Sequence, residues 1–121
     1  MARLTINASV LRDILEMVEV DYEECREEGC DFIGLYFIIE SNKLIILFDA
    51  NGFEVDPWII DLDENEDNEW ESFHLEEWAV LELIRIFKEI EDTDKVKVAI
   101  DTKNEKLIIE KSEEVLEFKL W

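Results

Sequence analysis

The chain has 121 residues, with 12 Lys and Arg against 33 Asp and Glu, a formal charge of −21 at pH 7. That length suits a single domain spanning residues 1–121, and a hydrophobic content of 48% is too high for a disordered acidic tail. So strong an acidic excess argues against direct nucleic-acid binding and docking on anionic membranes, both of which need clustered Lys and Arg. No apolar run approaches the ~18 residues of a membrane-spanning helix. Met1-Ala2-Arg3 leads at once into a strand pattern without a signal-peptide core, so a cytoplasmic location is expected.

From the first residues, Arg3 to Ile6 alternates polar and apolar side chains and predicts a short strand. Asn7 or Ser9 can cap a helix over Ala8 to Tyr22, with Val10, Leu11, Ile14, Met17 and Val18 forming its apolar stripe. Its continuation, Glu23 to Glu28, is strongly polar, and Gly29 is the expected stop. Cys25 and Cys30 fall here. In a cytoplasmic chain the pair is expected as free thiols, because zinc needs more ligands than the lone His74 can complete.

Phe32 to Ile39 is short and rich in β-branched and aromatic residues, so it predicts a strand. Ser41-Asn42 is a turn, and Lys43 to Phe48 is the returning strand. Asn51-Gly52 predicts a hairpin in which both turn residues take positive φ. Phe53, Val55, Trp58, Ile60 and Leu62 supply a further strand region, in which Pro57 signals an edge, a bulge or a break into two pieces. Asp63 to Ser72 is an acidic loop, followed by a helix over Phe73 to Glu91, with a brief leading strand around Ser72 to His74. Asp92-Thr93-Asp94 ends that helix. Lys95–Asp101, Lys106–Glu110 and Val115–Trp121 then predict three strands, with a turn near Ser112-Glu113.

The expected fold class is α+β: two helices packed on antiparallel sheet, in the order β-α-β-β-β said twice. This order resembles a single domain of the DNA sliding clamps, the processivity factors of replicative polymerases. The residues that carry the likeness are Leu4-Thr5-Ile6-Asn7-Ala8-Ser9-Val10-Leu11 with Ile14-Leu15, Phe73-His74-Leu75, and the closing strands from Lys95 to Leu120. The resemblance implies two helices facing a ring's hole, sheets outside, rings of about six such domains, and no catalytic residues to carry over. This chain departs from the pattern in its single domain and its charges. Arg12 stands against Asp13, Glu16 and Glu19, and Arg85 and Lys88 stand against Glu76, Glu77, Glu82 and Glu89. Each helix face therefore sums to −2. DNA in such a hole would be repelled.

Two surface features stand out. The first is the acidic run Asp61, Asp63, Glu64, Glu66, Asp67, Glu69 and Glu71, with Trp70 inside it. Asp61, Asp63, Asn65 and Asp67 match alternate positions of an EF-hand loop, but Glu66 stands where Gly is needed and Ser72 where a bidentate Glu is needed. Carboxylates at this density can instead imitate DNA phosphates and steer a basic protein onto the chain. The second is the far side of the later helix. Ala79, Val80, Leu83, Ile86, Phe87 and Ile90 share one face, with Ile84 at its margin, while Trp78 and Leu81 fall among charges beside Arg85. Trp121 is expected to pin the last strand or to cap a sheet edge.

No Walker A, G-x-S-x-G, G-x-G-x-x-G or H-E-x-x-H motif occurs, so a non-enzymatic protein with neither cofactor nor metal is expected. The leading expectation is an acidic, clamp-like binding protein that engages a basic DNA-binding or replication protein by DNA mimicry, in an inhibitory or anti-defence role. The alternatives are a subunit of a homo-oligomeric sliding clamp, with Arg12, Arg85 and Lys88 lining the hole, and a structural or calcium-responsive module. Open sheet edges also allow a homo-dimer or higher oligomer.

Overall fold

The computed structural model describes residues 4–40, 42–62, 71–90, 96–101, 103–104, 106–111 and 115–119. Strand β1 (Leu4–Asn7) enters helix α1 (Ala8–Glu27) directly. The strands β2 (Asp31–Glu40), β3 (Lys43–Asn51) and β4 (Trp58–Asp61) follow as an antiparallel meander. A second such sequence runs through β5 (Glu71–Glu76), α2 (Glu77–Glu89), β6 (Lys97–Asp101), β7 (Lys106–Glu110) and β8 (Val115–Lys119). Among the described residues the protein is α+β, with two helices and two antiparallel four-stranded sheets, ordered β1-β6-β7-β8 and β4-β3-β2-β5.

The strand before each helix does not pair within its own half. β1 lies antiparallel on β6, with Leu4 opposite Ile100 and Asn7 opposite Lys97. β5 lies antiparallel on β2, with Leu75 opposite Leu35 and Phe73 opposite Phe37. α1 and α2 pack against each other, and both contact β2. Phe37 and Phe73 stack at 5.0 Å between β2 and β5, beside the buried Leu11 of α1 and Leu83 of α2. A continuous cluster of buried apolar side chains joins both helices and both sheets. Burying that much apolar area is the main stabilising term.

Asn7 caps α1 as the sequence suggests, its side-chain oxygen accepting from the Ser9 N–H at 2.9 Å. The stripe is rotated from the expected one. Leu11, Ile14, Leu15 and Val18 are buried, while Val10 and Met17 stay more than a third exposed. The helix also runs beyond Tyr22 to Glu27, correcting the shorter prediction. Its last turn buries only Cys25 and leaves its acids in water, a pattern too polar to read as amphipathic.

The end of α1 also corrects the reading of the cysteines, which are joined as a disulfide. Glu28 is the C-cap, and Gly29 takes φ 77°, a left-handed conformation that only glycine adopts without strain. The Gly29 N–H donates to the Arg26 carbonyl and the Cys30 N–H to the Cys25 carbonyl, at 3.1 and 3.0 Å. This is a Schellman motif, which sets the side chains of these two positions beside each other. The C-x4-C spacing with glycine before the second cysteine thus fits a helix end, and the Cα atoms lie 5.2 Å apart.

Two further expectations change. Asn51-Gly52 does not close a tight hairpin. Asn42 is the only non-glycine with positive φ among the described residues, so Asn51 lacks the geometry such a turn requires. Six residues, 52–57, separate β3 from β4 instead, and the ladder resumes only after Pro57, pairing Trp58 with Ile46. Phe73 to Glu76 belongs to β5 and not to the helix, since Phe73 and Leu75 alternate into the core against β2. The expected turns at Asp92-Thr93-Asp94 and Ser112-Glu113, and the role given to Trp121, lie outside the described residues.

Gly34 sits at a bulge in β2. A Cβ there would fall 1.9 Å from the Leu75 carbonyl oxygen, a backbone atom of the paired strand. Gly34→Ala is therefore expected to cost about 2–4 kcal/mol and to lower Tm by more than about 5 °C in a thermal melt. An unchanged Tm would contradict the packing of β5 on β2. For the cysteines, alkylation in denaturant without reductant is expected to label neither thiol, with both labelled after reduction. Labelling of both before reduction would refute the pairing.

Candidate functional site: an acidic helix layer and its flanking surfaces

Three of the four cations of the two helices, Arg12, Arg85 and Lys88, lie on the chain's own acids, while Arg26 sits over the Tyr22 ring. Arg12 lies 3.6 Å from Glu16 and donates to the Ile90 carbonyl at 3.1 Å, linking α1 to the end of α2. Lys88 of α2 reaches Glu19 of α1 at 2.5 Å. Arg85 donates to Glu82 one turn back and to Glu89 one turn on, the latter at 3.2 Å. The Arg85 hydrogen bonds hold the Glu82 carboxyl below its ordinary range, and Glu82 raises the Arg85 guanidinium in return. α1 carries two basic against seven acidic residues, and α2 carries two against three. The crevice between the helices, lined by Arg12, Leu15, Glu19, Phe87 and Lys88, holds only about 20 Å³. That is room for about one water.

Trp78, Leu81 and Arg85 recur at i, i+3 and i+7 and so form one stripe along α2. Trp78 is 58% exposed, its indole N–H donating to Glu76 at 2.9 Å, and Leu81 is 37% exposed. The opposite face is buried as its spacing predicts: Ala79, Val80, Leu83, Ile86 and Phe87, with Ile84 also covered. The predicted contact stripe is thus brought together on one surface.

The acidic run is divided. Asp61 ends β4 and pairs with Lys43 at 3.7 Å, while Glu71 begins β5. These strands are the two edges of one sheet, three strand spacings apart, or roughly 14 Å. Calcium ligands sit about 2.3–2.6 Å from their ion, so Asp61 and Ser72 cannot share one shell as the EF-hand alignment would require. Asp63, Glu64, Glu66, Asp67, Glu69 and Trp70 lie outside the described residues. Among the described residues, no three His, Cys, Asp or Glu side chains converge as a metal site. His74 lies 3.1 Å from Asp49 and packs on Tyr36 at 4.5 Å, so its ring ties β5 to β3 over Gly34 of β2. No helix among the described residues is long and apolar enough to cross a membrane.

One surface was not singled out in the sequence. A groove of about 490 Å³ lies between α1 and the segment leading into β4. It is lined by Met17, Val20, Val55 and Trp58, with Asp13, Glu16, Asp21 and Asp56 around them. A signal was present, because the acidity is confined to part of the chain. Residues 1–94 hold six Lys and Arg against 27 Asp and Glu, whereas residues 95–121 hold six of each. The groove lies wholly within the acidic part.

Burial, with Glu24 nearby, pushes the Asp21 carboxyl above its ordinary value. A carboxyl raised on folding binds its proton more tightly in the folded state, so its ionised form lowers stability at neutral pH. Below the ordinary value of 3.8 that cost is gone. Asp21→Asn is expected to raise Tm at pH 7 by about 1–2 °C, the scale of a surface substitution, and to leave it unchanged near pH 3. A lower Tm at pH 7 would show that ionised Asp21 stabilises the fold.

Comparison with protein-family models, with curated proteins and with solved structures finds no match to this chain.

Proposed function

We propose that the protein is a non-enzymatic, acidic binding module that engages a basic DNA-binding or replication protein, occupying its phosphate-binding surface in place of DNA. The observation that carries this reading is the net acidic helix layer, in which three cations are already paired within the chain. Arg12, Lys88 and Arg85 each lie on a carboxylate of α1 or α2, and the two helices keep a large acidic excess. Phosphates approaching that layer meet repulsion, while a cationic protein surface meets attraction over the whole acidic region. The exposed Trp78 and Leu81 add apolar area of the kind that anchors protein contacts.

The element order and the side-by-side helices also support the clamp-like likeness, and we propose that the fold is a single clamp-like domain. The alternative reading, a ring of such domains around DNA, requires the acids beside Arg12, Arg85 and Lys88 to turn aside. They are instead the partners of those cations. We therefore favour a module with a clamp-like architecture and without the encircling role. In a cell, this reading makes the protein an inhibitor or competitor of a DNA-handling protein, working without cofactor or metal.

The test is a set of purified basic DNA-binding proteins, each bound to labelled duplex DNA and titrated with this protein. Release of the duplex from at least one of them is expected, steepest at low salt. Reversing Glu64, Glu66, Asp67 and Glu69 to Lys is expected to weaken that release at least about tenfold. No release from any of them, or release untouched by the reversal, would sink the mimicry reading.

A further inference from the structure

We infer that the groove between α1 and the segment before β4 is a docking site for a basic amphipathic helical segment of a partner protein, apolar side chains on its floor and Lys or Arg on its rim. The inference rests on the proposed partner class and adds the place and chemistry of contact. Met17 and Val20 are 45% and 64% exposed on a helix whose other large aliphatic residues, Val10 apart, are buried. They share the floor with Val55 and Trp58, which are half-buried. Residues 52–57 run outside the β3–β4 ladder before Pro57, which places Val55 opposite α1.

The rim is one sign of charge. Asp13, Glu16, Asp21 and Asp56 surround the floor, and none of the eight lining residues is Lys or Arg. Of these carboxylates, Glu16 meets Arg12 from the neighbouring turn. A cation beside Asp21 would favour its ionised form and so offset the effects of burial and of Glu24 that raise this carboxyl. The volume, about 490 Å³, accepts a few side chains and not a folded domain. A helix presenting apolar residues at i, i+3 and i+4 with flanking cations meets both requirements. Charge selects against the other occupants. DNA and anionic lipid would be repelled, and a second copy would bring either the same acidic rim or its charge-balanced final segment.

The experiment uses the full chain and two labelled peptides of Leu and Lys. One is patterned as an amphipathic helix, and the other has the same composition in scrambled order. At about 50 mM salt the patterned peptide is expected to bind at least about tenfold tighter. Amide NMR shifts on binding are expected at Met17, Val20, Val55 and Trp58. Val20→Gln, a change at an exposed site, is expected to weaken the patterned peptide about fivefold or more and to leave the scrambled one unaffected. Equal binding of the two peptides would reduce the effect to charge alone and overturn the docking site. Shifts confined to Trp78, Leu81 and Arg85 would overturn the groove and leave the basic-partner reading standing. No binding of either peptide would remove both. Groove shifts that grow with protein concentration in the absence of peptide would assign the surface to a second copy and overturn the proposed occupant.

Discussion

The exchange of leading strands is the constraint on which this structure depends. β1 completes the sheet of β6, β7 and β8, and β5 completes the sheet of β2, β3 and β4. Removing either half would leave the other with a three-stranded meander, an unpaired leading strand and a helix whose apolar face has lost its cover. Ile6 is buried opposite Val98, and Leu75 is buried opposite Leu35, so each exchanged strand also delivers core side chains. Close approach is part of the same constraint. β5 runs so near β2 at Gly34 that no side chain fits there. The space left by that missing side chain is where His74 reaches Asp49.

This arrangement sets the helices side by side on β2 and brings their charged residues within reach of each other. Lys88 meets Glu19 across the helix pair, and Arg12 meets the Ile90 carbonyl at the end of α2. Exposed ion pairs of this kind contribute little stability, typically up to about 1 kcal/mol each. Their larger effect is on what the surface offers. With Arg12, Arg85 and Lys88 engaged internally, the helix layer presents the remaining carboxylates outward, and the same holds along the groove beside Met17 and Val20. Fold and charge together favour a cationic protein partner over a polyanion.

Much of this was legible in the sequence, for physical reasons that can be traced to particular residues. The α2 core face from Ala79 to Phe87 follows the 3.6-residue period and is buried as expected. β7 matches its predicted span, and Asn7 caps α1. The misses share a cause, which is tertiary context. Glu23 to Glu27 is helical although its pattern is polar, because one buried residue, Cys25, suffices to hold that turn on the core. Phe73 to Glu76 is too short for its period to separate strand from helix, and only the pairing with β2 decides it. Met17 fits the apolar stripe by spacing yet faces the groove, because the stripe centres on Leu11, Ile14, Leu15 and Val18. Of the predicted site, the stripe of Trp78, Leu81 and Arg85 was legible from helical spacing alone. The strand exchange and the groove were not, since both depend on residues far apart in the chain.

The most direct test of the central claim, that this chain is an acidic protein-binding module and not a ring around DNA, is its mass in solution. Light scattering on a sizing column at low and at high salt, each with and without a short DNA duplex, measures both sides of the claim at once. The account predicts a mass of one or two chains in all four runs, with the duplex eluting separately. A mass near six chains, or co-elution with the duplex at low salt, would contradict it.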